Sequence, residues 1–136
     1  MTTYLVGRLD RIIRRALEEL IRDQDVSVVG YTAMSVLEAR PGLSNAELAR
    51  RSFVTPQGMS QTLATLTEGG LIRRTPATRN RRVQLVELTD RGRQVVSVCS
   101  RRVAGFEGEL LASLTPRQRD DLNTILLEVV NANRAT

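Results

Sequence analysis

Two helix-start signals only eleven residues apart constrain this chain more than anything else in it. Ser44-Asn45-Ala46-Glu47 is a capping box. The serine hydroxyl can accept from the Glu47 backbone N–H, and the Glu47 side chain reaches back to the cap. Thr55-Pro56 is the second start, with threonine as N-cap and proline at the first helical position. The first helix therefore has room only for residues 45–52 before a turn around Phe53-Val54. The second runs over 56–68, with Met59, Leu63 and Leu66 as its apolar stripe, until Gly69-Gly70 end it as glycines do at a left-handed C-terminal cap. Two short helices joined by a tight turn form a helix-turn-helix unit.

The flanks supply the rest of a mainly helical fold. Leu5, Leu9, Ile12, Ile13, Ala16, Leu17, Leu20 and Ile21 recur at helical spacing, so 4–22 is an amphipathic helix. A polar stretch, 23–27, turns the chain. A helix over 30–40 follows, with Ala33, Met34, Val36 and Leu37 apolar, and Pro41-Gly42 stops it. Beyond the paired helices, 71–75 and 83–88 read as strands around the polar loop 76–82, which makes a hairpin wing. The second strand alternates imperfectly, so its register is open. Thr89 caps a long helix over 90–111, whose far end Gly105 and Gly108 weaken. Thr115-Pro116-Arg117-Gln118 is another capping box and starts a last helix reaching about residue 132. The expected fold is mainly α with a small β-hairpin wing (α+β).

Charge concentrates in one block. Every basic residue is an arginine, 20 against 15 acids. Residues 1–39 are net −1, 40–82 net +6 and 83–136 neutral. No acid occurs from Gly69 to Val86, where Arg73, Arg74, Arg79, Arg81 and Arg82 lie. A surface that neutralises phosphates has this distribution; so does a solvated basic loop without a partner.

If Met59, Leu63 and Leu66 face inward, the opposite face of their helix holds Gln57, Ser60, Gln61, Ala64 and Thr65. In a helix-turn-helix the second helix enters the major groove with its N-terminal end leading. Gln57 and Gln61 can each present a donor and an acceptor to adenine. Arg50 and Arg51 at the end of the preceding helix, Arg73 and Arg74 on the first wing strand, and Arg79 and Arg81 in the wing loop suit phosphate or minor-groove contacts. Such contacts position a protein without specifying sequence. Double-stranded DNA is the implied partner.

Other classes fall away. There is no histidine to act as a base, the acids are scattered among arginines, and no glycine-rich loop opens a helix, so no catalytic site is expected. The single Cys99 rules out an internal disulfide and a cysteine-rich zinc site, and neither metal nor cofactor is expected. In Val95-Val96-Ser97-Val98-Cys99 it reads as a buried thiol; a redox sensor tuned by Arg101 and Arg102 is the other reading. No apolar run is long enough for a membrane, and the first twenty residues are no leader peptide, so the cytoplasm is the expected location.

Three stretches resemble the MarR family of bacterial regulators: Leu43-Ser44-Asn45-Ala46-Glu47-Leu48-Ala49, Leu66-Thr67-Glu68-Gly69-Gly70-Leu71-Ile72-Arg73-Arg74, and Arg81 through Gly92. The family reads D-x-R-x-x-x-V-x-L-T-x-x-G after its wing, and Arg82, Val86, Leu88, Thr89 and Gly92 match. Its wing aspartate falls on Asn80, which offers only a neutral hydrogen bond in place of a charge-assisted pair. The role carried over to Arg82 is therefore open.

The resemblance implies one MarR-like domain over 1–136. Residues 28–92 would form the winged helix-turn-helix lobe, with 1–25 and 93–136 as dimerisation helices. It implies a homodimer that reads paired half-sites one helical turn (about 34 Å) apart. It further implies a repressor of a palindromic operator, relieved by a small aromatic or anionic effector. Tyr31, Met34 and Phe53 can line an effector pocket, although core packing is the commoner outcome for each. A module that coats DNA or binds protein without base readout is the alternative.

Overall fold

The computed structural model describes residues 1–133. Its elements are α1 (Thr2–Ile21), a 3-10 turn (Arg22–Gln24), α2 (Val28–Ala39), β1 (Leu43–Ser44), α3 (Asn45–Arg51), α4 (Pro56–Glu68), β2 (Ile72–Pro76), β3 (Gln84–Leu88), α5 (Asp90–Leu110) and α6 (Pro116–Ala132). Two compact units divide within α5: Met1–Val103, which holds the lobe together with α1, and Ala104–Thr136, which holds α6.

Both expected capping boxes close. Ser44 Oγ accepts from the Glu47 N–H, and Glu47 Oε1 accepts from the Ser44 N–H. Thr115 and Gln118 make the same reciprocal pair at α6. Helix α2 starts two residues earlier than the apolar spacing predicts because Ser27 caps it, accepting from the Gly30 N–H at 3.0 Å.

The wing carries one strand more than the expected hairpin. β1 pairs antiparallel with β3, giving the order β1-β3-β2. β2 and β3 pair from Ile72↔Leu88 to Pro76↔Gln84, and this fixes the register that imperfect alternation had left open. Val86 and Leu88 face the core with Ile72.

The core lies in the lobe: Ala33, Met34 and Leu37 of α2, Leu48 and Ala49 of α3, Met59, Leu63 and Leu66 of α4, the sheet residues, and Val96 of α5. Each helix buries one stripe there, as amphipathic spacing requires.

One junction sets the wing against α4. Gly70 takes φ +71, and the Leu71 N–H returns to the Leu66 carbonyl while the Gly70 N–H returns to Thr67, a Schellman cap. Thr89 locks onto that turn. Its N–H donates to the Leu71 carbonyl, its hydroxyl donates to the Gly70 carbonyl at 2.6 Å, and it accepts from the Gly92 N–H. The approach leaves no space for a side chain at Gly92, whose Cβ would lie 2.0 Å from the Leu71 carbonyl oxygen.

Candidate nucleic-acid interface

Helix α4 divides as its sequence predicts. Met59, Leu63 and Leu66 are buried, while Gln57, Ser60, Gln61, Ala64 and Thr65 are exposed. The exposed residues are not equally free. Ser60 Oγ donates to the Pro56 carbonyl and accepts from Asn45 Nδ2, both at 3.0 Å. Thr65 Oγ1 donates to the Gln61 carbonyl. The Gln57 and Gln61 carboxamides make no side-chain hydrogen bond among the described residues, so each keeps both donor and acceptor for a ligand. Thr55 holds the leading end of the helix, accepting from the Gly58 N–H.

Asn45 is absent from the residues singled out by sequence. It sits at the start of α3 and ties that helix to α4 through Ser60, fifteen positions away, while its Oδ1 is buried without a partner. No periodicity reveals a contact that exists only once the two helices cross.

Arginines sit on the elements before and after α4. Arg50 and Arg51 are exposed in the last turn of α3. On β2, Arg73 lies opposite Glu87, with Nε 3.6 Å from its carboxylate. Arg74, Arg79, Arg81 and Arg82 are exposed and make no ion pair among the described residues. The wing loop closes on Asn80, whose carbonyl accepts from Val83 N–H and whose Oδ1 accepts from the Arg82 backbone N–H at 3.1 Å. Asn80 thus shapes the loop backbone and leaves the Arg82 guanidinium unheld. Cations without acidic neighbours on a hairpin tip present an uncompensated field to a polyanion.

The three candidate effector residues are not brought together. Met34 is fully buried in the core. Tyr31 is half-buried, and its hydroxyl hydrogen-bonds Ser100 of α5 at 3.1 Å. Phe53 is not part of the core: it is 85% exposed in the turn between α3 and α4, at φ +59. The turn needs a left-handed residue there, and that backbone carries the ring outward. Cys99 is buried, and desolvation pushes its thiol up from its ordinary value. The Arg102 charge acts in the other direction; its guanidinium is itself engaged by Asp23 at 2.5 Å and by the Leu20 carbonyl. Burial and the upward shift favour the structural reading of this thiol over the sensor.

The family model described as MarR family matches residues 24–83. The HTH-type transcriptional repressor Rv2887 of Mycobacterium tuberculosis (strain ATCC 25618 / H37Rv) is 31% identical over 118 residues, covering 86% of this chain and 85% of that protein. The crystal structure of that MarR family protein in complex with salicylic acid superposes with a TM-score of 0.76 at 28% identity, over 93% of this chain and 94% of its own. The transcriptional repressor CouR bound to a 23-mer DNA duplex superposes with a TM-score of 0.87 at 23% identity, over 96% and 92%, a likeness of fold. With a relative 31% identical over that much of both chains, and a winged helix-turn-helix built on the same motifs, the chain belongs to the MarR family.

Proposed function

We propose that this chain is a non-catalytic, sequence-specific DNA-binding repressor that works in the cytoplasm as a homodimer on a palindromic operator. The observation that carries the reading is the exposed face of α4. Two unengaged carboxamides, Gln57 and Gln61, stand at the leading half of a helix followed by a wing whose Arg74, Arg79, Arg81 and Arg82 make no ion pair among the described residues. Helix α4 enters the major groove, where Gln57 and Gln61 read base edges with Ser60 and Thr65 beside them. Arg50, Arg51, Arg73 and Arg74 hold phosphates, and Arg79, Arg81 and Arg82 reach the flanking minor groove.

The exposed apolar faces of α1 and α6 support a dimer, since Leu5, Ile12, Ile125, Leu127 and Val129 are each at least half exposed. A small aromatic carboxylate is the effector class, because the Mycobacterium tuberculosis relative is known in complex with salicylic acid. Of the three candidate pocket residues, the half-buried Tyr31, whose hydroxyl already hydrogen-bonds Ser100, has the chemistry that suits a carboxylate.

Footprinting of the purified protein on genomic fragments tests the reading. A bounded two-fold protected site is expected. Gln61→Ala should cost about 1–3 kcal/mol on that site and relax base preference. Arg79→Ala and Arg81→Ala should weaken binding to every duplex alike and each lower the salt slope by about one. Equal affinity for unrelated duplexes would overturn base readout, and a salt slope unmoved by both arginine changes would overturn the wing assignment.

A further inference from the structure

Helices α1 and α6 carry matching charge ladders of opposite sign. On α1, Arg8, Arg15 and Glu19 are exposed and lie along one edge of the apolar stripe formed by Leu5, Leu9 and Ile12. Their spacing is seven residues, then four. On α6, Arg117, Asp121 and Glu128 are exposed along one edge of the stripe formed by Ile125, Leu126 and Val129. Their spacing is four, then seven. An α-helix rises about 1.5 Å per residue, so the two ladders have the same length and the same steps when the helices run antiparallel. In that one register Arg8 stands opposite Glu128, Arg15 opposite Asp121 and Glu19 opposite Arg117, so all three juxtapositions are of opposite charge.

None of these six groups forms an ion pair among the described residues. Arg8 is instead stacked 5.9 Å over the Tyr4 ring. The α1 edge also lines an open groove of about 880 Å³, with Tyr4, Gly7 and Ile12 among its walls.

From this complementarity we infer that α1 of one copy packs antiparallel against α6 of a second copy, in the register that pairs Arg8 with Glu128, Arg15 with Asp121 and Glu19 with Arg117. The inference rests on the homodimer proposed above and adds to it which helix meets which, in what direction and in what register. The exposed apolar stripes supply the affinity. The charges at their edges select partner and orientation, as edge charges do between paired helices, because exposed ion pairs contribute little energy each while like-charge juxtaposition is penalised.

A partner-switching experiment tests it on the full chain. One variant carries Arg8→Glu and Arg15→Glu, and the other Asp121→Arg and Glu128→Arg. Each alone places like charges at both symmetry-related contacts, so each homodimer should dissociate at least about tenfold more readily than wild type by sedimentation. Mixed in equal amounts, the two variants should form the heterodimer in excess over random assortment, read by native mass spectrometry on differently tagged chains. A single chain with all four changes should regain homodimerisation, which shows that the reversals leave the fold intact. Variants that homodimerise like wild type, or that assort at random, overturn the register while leaving the dimer standing. A wild-type chain that remains monomeric at micromolar concentration overturns the dimer and the register together.

Discussion

Helices α4 and α6 are built from the same materials and end in opposite states. Each begins with a threonine cap and a proline at its first position, and each carries an apolar stripe at helical spacing. The α4 stripe is buried against α2, α3 and the sheet, with Met59 and Leu63 at 1% exposure or less. Helix α6 has no buried residue, and Ile125, Leu126, Val129 and Val130 are 45–56% exposed. Amphipathicity states only that a helix has something to cover. The lobe itself supplies the cover for α4, whereas the unit that holds α6 leaves its stripe exposed. The lobe core is thus complete within one chain, while the α6 stripe is not covered within its own unit.

The same chemical change in the two helices breaks or sharpens that contrast most strongly. Leu63→Ala opens a cavity in the lobe core and should cost about 2–5 kcal/mol in urea unfolding, whatever the protein concentration. Leu126→Ala removes the same atoms from an exposed face. Its cost should appear only where the protein is concentrated enough to associate, and vanish on dilution. A Leu126→Ala penalty as large as that of Leu63→Ala and independent of concentration would mean that α6 is covered by its own chain.

A second contrast lies within α5. At Gly92 a Cβ would sit 2.0 Å from the Leu71 backbone oxygen, while at Gly105 nothing lies within 4 Å. Gly92→Ala must push α5 off the Schellman turn that Thr89 grips, so a loss of about 3 kcal/mol is expected, with the wing displaced and DNA affinity reduced. Gly105→Ala meets no obstacle and should stabilise the helix by about 0.5–1 kcal/mol, since alanine has less backbone freedom to lose. Thermal unfolding of the two variants checks both signs. Equal effects would show that Gly92 is an ordinary helical position.

How much of this was legible in the sequence follows from the range of each signal. Capping boxes, proline starts and the Gly69-Gly70 stop are chemistry within four residues, and they place α3, α4 and α6 to within a residue or so. The Ser27 cap of α2 lacked a glutamate or glutamine at its third helical position, and the helix start was set two residues late. Strand β1 is two residues long and overlaps the capping box, so alternation had nothing to act on; only pairing with β3 reveals it. The exposed face of α4 was legible because its inward stripe is regular. The Asn45–Ser60 tie and the outward throw of Phe53 were not, since the first depends on how two helices cross and the second on a left-handed turn residue that is not glycine.

The smallest expected effect separates the two capping boxes. At α3 the partner returning to the cap is a carboxylate, Glu47; at α6 it is a carboxamide, Gln118. Hydrogen bonds from the Ser44 hydroxyl and backbone N–H hold the Glu47 carboxyl below its ordinary value of 4.5. A carboxyl whose pKa is lower folded than unfolded adds stability above the unfolded value and loses it as pH falls through the folded one. The α3 box therefore weakens below about pH 4.5, while the α6 box does not titrate. Solvent screens this site, so Glu47→Gln should cost less than about 1 kcal/mol at pH 7. That cost should shrink as the pH is lowered from 7 to 3, the direction in which the wild-type side chain takes up its proton. Urea midpoints of the two proteins at both pH values give the comparison. If the cost of Glu47→Gln is the same at each, the α3 cap is held by the serine alone, and the two boxes are equivalent despite their different chemistry.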